Sequence, residues 1–275
     1  MAEKNHFIAD MHTHTNHSID GKNSPDEMCA AAFKAGVDVY NISDHCDINR
    51  DDELHCFERS SASIADALRL KSAYDGRMKI LAGIEIGNPH WNPAVAKECA
   101  AIDGIDCITG SVHRIICDGE LLITTKGDFE HMTPEHIAKL NQKYFDDIFL
   151  MLDTLHPDIL AHLTYMLRYI VGYHHMDVHI EDYHDRVDNI LKFLIKEGIA
   201  LEMNTSILEN KVADYDIYLF ERYHSLGGRL VTLGSDAHRT DRIANRFDVA
   251  AAELKRIGFN EACYIEARQI HCYRL

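Results

Sequence analysis

Short apolar runs alternate along this chain with longer stretches whose apolar positions recur every three or four residues, the marks of buried strands and amphipathic helices. Phe7-Ile8-Ala9 reads as a first strand leading into Asp10-Met11-His12-Thr13-His14. Ser24 as cap, Pro25 in the first turn and Glu27 closing a capping box open a helix that runs to Lys34 and stops before Gly36. Val37 to Ile42 is the next strand, and it ends in Ser43-Asp44-His45. A helix from Ser60 to Tyr74 breaks at Asp75-Gly76, and the apolar run Met78 to Ile84 delivers Glu85. After a short helix from Pro93 to Ala101, Cys107 to Val112 leads into His113 in the same way.

The second half repeats the alternation. Glu120 to His131 is an excursion over the face where these polar residues emerge, and Thr133 caps a long helix reaching about Leu155. Asp158 to Ala161 is a short strand ending at His162. Tyr173 to His179 is rich in histidine and reads as a polar loop or a helix start, in which His175 and His179 could share a face. Glu181 to Lys196 is amphipathic, with Val187, Ile190, Leu191 and Leu194 inward and Gly198 as its stop. Ile199 to Met203 leads to Asn204-Thr205-Ser206, a helix follows from Asp214 to Leu226, and Leu230 to Ser235 ends in Asp236-Ala237-His238. A last helix spans Arg242 to Ile257, and Ala262 to Ile265 forms a terminal strand.

Seven strand-then-helix units predict an α/β fold, a distorted (β/α)7 TIM-like barrel in a single domain covering 1–275. Its chemically expensive residues stand at strand C-terminal ends, the face on which such barrels build their sites. Composition narrows the partners. A formal charge of −16 disfavours nucleic acid, because phosphate-backbone affinity needs clustered Lys and Arg. With no apolar run near the roughly 20 residues of a bilayer span and no leader pattern, the expectation is a cytoplasmic protein without a membrane partner. The eight cysteines lack a Cys-x-x-Cys pair and read as reduced packing residues.

On one strand Asp10, His12 and His14 share a face, so the two imidazoles can grip a divalent ion, with Asp10 as an extra ligand or as an acceptor that fixes a tautomer. An isolated pair would be ordinary surface histidines. Here it is joined by His45, Glu85, His113, His162, Asp236 and His238, each following a different run or sharing one. Imidazoles with carboxylates suit zinc, manganese or iron.

Asp-x-His-x-His, Ser-Asp-His, Gly-x-Glu, Gly-Ser-x-His and a late Ser-Asp-x-His resemble the motifs of the PHP family of metal-dependent phosphoesterases, and within it the histidinol-phosphate phosphatases, over Ile8 to His238. The resemblance implies a distorted seven-stranded barrel and three divalent metal ions. One would be held by His12, His14, Glu85 and Asp236, a second by Glu85, His113 and His162. The third would be held by His45, His238 and Asp20, with His17 as the fallback for Asp20. It further implies a small-molecule phosphate monoester as substrate, L-histidinol phosphate first, cleaved by a metal-bridging hydroxide. Glu85, Asp236 and His238 would be the catalytic residues, and Arg168, Arg114 and Asn204 would contact substrate. Three divalent ions less three carboxylates and a hydroxide leave a positive charge that a phosphate monoester, at about −2, would neutralise.

The pattern has departures. Thr164 stands where the His-Leu-Asp-x-x-x-Arg-Tyr motif has Asp, Ile207 replaces a common Gly, and Glu209 a frequent basic residue. These touch the substrate pocket rather than the metal residues. The alternatives are a family member acting on another monoester or on a phosphodiester or nucleotide, an amidohydrolase, which would want a metal-bridging lysine where His113 stands, and a non-catalytic metal or phosphate sensor.

Overall fold

The computed structural model describes residues 7–48, 53–206 and 213–275. Ile207 and Glu209 lie outside the described residues. In chain order the elements that place the site are β1 (Ala9–Asp10), α1 (Pro25–Ala35), β2 (Val39–Ile42), β3 (His45–Asp47), α2 (Glu53–Ala73), β4 (Lys79–Gly87), α3 (Pro93–Ala100) and β5 (Cys107–Ser111). They continue with the hairpin β6 (Arg114–Cys117) and β7 (Glu120–Ile123), then α4 (Pro134–Leu155), β8 (Ile159–Leu160), α5 (Tyr165–Leu167), α6 (His184–Glu197) and β9 (Ala200–Asn204). The last are α7 (Ala213–Ser225), β10 (Val231–Gly234), α8 (Phe247–Ile257) and the hairpin β11 (Glu261–Glu266) with β12 (Gln269–Arg274).

Seven strands pair in the order β1-β2-β4-β5-β8-β9-β10, all parallel, and β3 continues the line of β2 along the far half of β4. Single bonds close the ring between β1 and β10: Met11 N donates to Leu233 O, Asp236 N to His12 O and His14 N to Ala237 O. The result is a nearly closed α/β barrel, as the strand-helix alternation predicted. Its largest apolar cluster lies between the later strands and α4, α6, α7 and α8, and a second is walled by α1 and α2.

Local signals set most boundaries. The Ser24–Glu27 capping box forms as predicted and Gly36 ends α1 at φ 80°, a conformation that favours glycine. Thr133 caps α4 by accepting from His136 N. Three readings shift. Helix α2 begins at Glu53, seven residues before the predicted Ser60, and its early turns are pinned by buried Cys56, whose thiol lies 3.0 Å from Asp47 O. Helix α8 begins at Phe247 because Ala244 and Arg246 take left-handed backbone at φ 50° and 59°. The terminal strand is one arm of a hairpin turned by Ala267-Arg268, both at positive φ, a turn for which Asn-Gly is the usual signal. The Tyr173 to His179 segment is irregular, as a loop reading expects, with His175 at φ 54°.

Candidate metal centre

Strand β4 is buried along nearly its whole length, and Glu85 stands inside it rather than just after it, since Ile86 and Gly87 stay paired with Gly110 and Ser111 of β5. A fully buried carboxylate needs cations or donors to meet it. Five imidazoles surround it. Its Oε1 lies 3.0 Å from His162 Nε2 and 3.2 Å from His113 Nε2, and its Oε2 2.6 Å from His45 Nδ1 and 3.5 Å from His12 Nε2. His14 is 3.8 Å from the same Oε2 and 3.3 Å from Asp236 Oδ1.

The remaining predicted ligands adjoin this ring. His238 Nδ1 lies 3.6 Å from Asp236 Oδ1, and its Nε2 3.3 Å from Asp20 Oδ2. Asp20 also approaches His45 Nε2 at 3.6 Å. The structure thus brings together all nine residues expected at the metals. His17 is a correction: it turns away, its Nε2 lying 3.0 Å from Asp66 Oδ2 on α2, so Asp20 and not His17 faces His45 and His238.

Asp10 corrects a second expectation. Its carboxylate accepts from Ser235 N and Oγ at 2.9 and 2.6 Å and from Ala244 N at 3.0 Å, so it stitches the barrel seam instead of reaching an imidazole. Burial pushes its pKa up to about 6 against the pull of those donors.

Three clusters of ligand atoms lie within 4.8 Å of one another: His12, His14 and Glu85; His45, Glu85 and His113; and His14, His45 and His238. Buried His12 Nε2, His14 Nε2, His238 Nε2 and Glu85 Oε2 lack a hydrogen-bond partner. Unpaired lone-pair atoms converging in a buried site are what a cation needs, and the donor set fits borderline divalent metals. Electrostatics follows the same crowding. Burial opposes ionisation of Glu85 and Asp236, but the surrounding histidines hold both well below the ordinary carboxylate range. Burial and the charges of His45 and His238 push His14 down to about 3, whereas Asp20 and Asp236 lift His238 to about 9 against its burial. Two of these residues also sit in left-handed backbone, His162 at φ 24° and Asp236 at φ 54°.

A cavity of about 360 Å³ opens on this cluster, lined by Asp20, His45, His113, His162, Asp236 and His238 together with Arg59, Arg114, Lys126, Tyr165, Arg168 and Tyr169. Arg168 is buried there with a loosely held guanidinium. Its Nη2 is 3.4 Å from Asn204 Oδ1, its Nη1 3.8 Å from Asp236 Oδ2, and its Nε has no hydrogen-bond partner. Arg114 is half-buried, 3.7 Å from Asp47 Oδ2. At the departure in the motif, Thr164 Oγ1 donates to Asp216 Oδ1 of α7 at 2.7 Å, so a carboxylate still stands near Arg168. Burial pushes Asp216 up to about 7, against the Thr164 bond and the Arg168 charge.

Sequence reasoning passed over several supporting acids. Asp44 accepts from Thr15 N, Thr15 Oγ1, Ser18 Oγ and Ser63 Oγ at 2.6 to 2.7 Å, fixing the loop that carries Asp20. Asp47 holds His113 Nδ1 at 2.8 Å, and Glu202 holds His12 Nδ1 at 2.6 Å. Their signal was available: Asp47 is two residues beyond His45, and Glu202 shares a strand face with Asn204.

Comparison with known proteins gives the chain its relatives. The chain is 28% identical over 253 residues to a Thermotoga maritima protein named "Probable histidinol-phosphatase", covering 92% of this chain and 93% of the relative. A Clostridium acetobutylicum protein of the same name is 28% identical over 245 residues, covering 88% and 90%. The crystal structure of histidinol phosphate phosphatase from Lactococcus lactis, complexed with zinc, L-histidinol and phosphate, superposes with a TM-score of 0.76 at 20% identity, covering 96% of this chain and 98% of that one. It shares the fold. The model of the PHP domain matches residues 10–206, most of the chain and all the metal-facing residues but Asp236 and His238, and so the chain belongs to the PHP domain family.

Proposed function

We propose that this protein is a metal-dependent phosphatase that hydrolyses L-histidinol phosphate to L-histidinol and phosphate in the cytoplasm. The observation that carries the reading is Glu85, a buried carboxylate whose two oxygens face five imidazoles beside a cavity holding a loosely bound arginine. The names of the Thermotoga and Clostridium relatives, and the ligands bound in the Lactococcus phosphatase, support L-histidinol phosphate as the substrate.

His12, His14, Glu85 and Asp236 would hold one ion, Glu85, His113 and His162 a second, and His45, His238 and Asp20 a third. Such divalent ions, when bound, supply an acidified water and positive charge for phosphoryl oxygens. Arg168 directs its free N–H groups at the phosphate, and Arg114 adds a second cation at the rim. Asn204, 3.4 Å from both Arg168 Nη2 and Asp236 Oδ2, steadies these groups and contacts the ester. Glu85, Asp236 and His238 are the residues we assign to catalysis: the two carboxylates would orient the attacking water, and His238, whose Nδ1 donates to Asp236 O at 2.9 Å, keeps its Nε2 lone pair turned toward Asp20 and the third ion.

Phosphate release from L-histidinol phosphate, sugar phosphates and nucleotides, and alcohol release from a bis-phosphodiester, by metal-replete enzyme test the reading. The expected result is a kcat/KM for L-histidinol phosphate at least about tenfold above the others, a margin of roughly 1.4 kcal/mol. Equal rates across the monoesters would overturn the substrate and keep the phosphatase; activity on the diester alone would overturn both.

A further inference from the structure

One carboxylate beneath the site touches both halves of it. Glu202 lies in the middle of β9 with a side chain about 1% exposed. Its Oε1 is 2.6 Å from His12 Nδ1, and its Oε2 accepts from the backbone N–H of His162 at 2.8 Å and from Asn204 Nδ2 at 3.1 Å. The hydrogen bond at Nδ1 requires the proton there, which leaves the His12 Nε2 lone pair facing Glu85 and Asp236. The bond to His162 N secures a residue held at φ 24°, a backbone conformation that its neighbours must enforce. Space for this carboxylate is made by Gly234, where a Cβ would lie 2.2 Å from Glu202 Oε1 and 2.6 Å from His12 Cβ.

We propose that Glu202 is the positioning residue for two metal ions at once, fixing the tautomer of His12 in one ligand set and the backbone of His162 in another. The proposal rests on the reading of these histidines as ligands. It makes β9, which contributes no ligand of its own, the strut between β1 and β8. Loss of the Glu202 charge therefore weakens more than one ion, although the residue touches none of them.

The test uses zinc alone with metal-stripped full-length protein, titrated against a chromophoric chelator. Glu202→Gln keeps the volume and removes the charge. Its zinc affinity is expected to fall about tenfold to a hundredfold at two ions, the usual consequence of losing an outer acceptor. The metal-stripped variant is expected to fold, with a melting temperature lower by a few degrees because one of the donors around Glu202 then faces an amide N–H. In the zinc-loaded parent, the His12 Nδ1 proton is expected as a slowly exchanging downfield NMR resonance that is absent from the variant. Parental zinc affinity in Glu202→Gln, loss confined to one ion, or a rapidly exchanging His12 Nδ1 proton in the parent would overturn the proposal. Should the parent itself take up no zinc, the ligand reading falls first and this proposal with it. The NMR measurement on the parent decides the matter even if the variant fails to fold.

Discussion

The two ends of the same barrel treat buried acids in opposite ways. At the N-terminal ends of the strands, Asp106 accepts two bonds from Lys71 Nζ at 2.9 and 3.0 Å, one from Ala82 N at 3.0 Å and one from Ala267 N at 3.1 Å. Asp158 beside it accepts from Ile108 N at 2.7 Å and pairs with Arg268 at 2.6 Å. At the C-terminal ends Glu85 meets only imidazoles, and its Oε2 lacks a hydrogen-bond partner. Satisfied carboxylates hold the hairpin β11–β12 against the barrel floor. At the rim Asp44 is as fully bonded, but the unsatisfied Oε2 of Glu85 makes that end a place for cations, the division of labour that (β/α) barrels permit.

Substitutions at the two ends should separate chemistry from stability. Glu85→Gln is expected to lose metal and activity together, with kcat/KM for phosphate release down by more than about a thousandfold, since several kcal/mol of charge stabilisation go with the ions. Elemental analysis beside the assay checks it, and a variant that keeps both would end the contrast. Next in size, Arg168→Lys trades a planar fork for a point charge. The loss of one or two charge-assisted bonds, about 1.5 to 3 kcal/mol, should raise KM roughly tenfold to a hundredfold with metal content intact.

Gly234→Ala forces its methyl against Glu202 and His12, so overpacking of about 1 to 3 kcal/mol should appear in denaturant unfolding together with weaker zinc binding. At the other end Asp106→Asn should cost roughly 1 to 2 kcal/mol and lower the melting temperature by a few degrees, while kcat/KM and metal content stay at the parental level. Loss of activity in the folded Asp106→Asn protein would erase the distinction between floor and rim.

The chain announced its rim more clearly than its floor. His45, His113, His162 and the Asp236–His238 pair were legible because each interrupts or ends an apolar run, and seven such runs compel a barrel. Asp10 misled because face alternation was extended beyond a paired strand that is only two residues long, Ala9–Asp10. Hairpin β11–β12 was half seen: of its second arm only Tyr273 is buried, so β12 shows no alternation. Glu202 was hidden by its setting between Leu201 and Met203, where an acid reads as part of an ordinary strand until its neighbour across the ring is known.

The left-handed backbone at His162 and Asp236 carries a lesson for any effort to make this protein hardier. Non-glycine residues in that region cost of order 1 to 3 kcal/mol each, relief that glycine would give at both points. A screen that rewards heat resistance alone would therefore favour discarding these two side chains, and the sturdier molecules it returned would be poor catalysts.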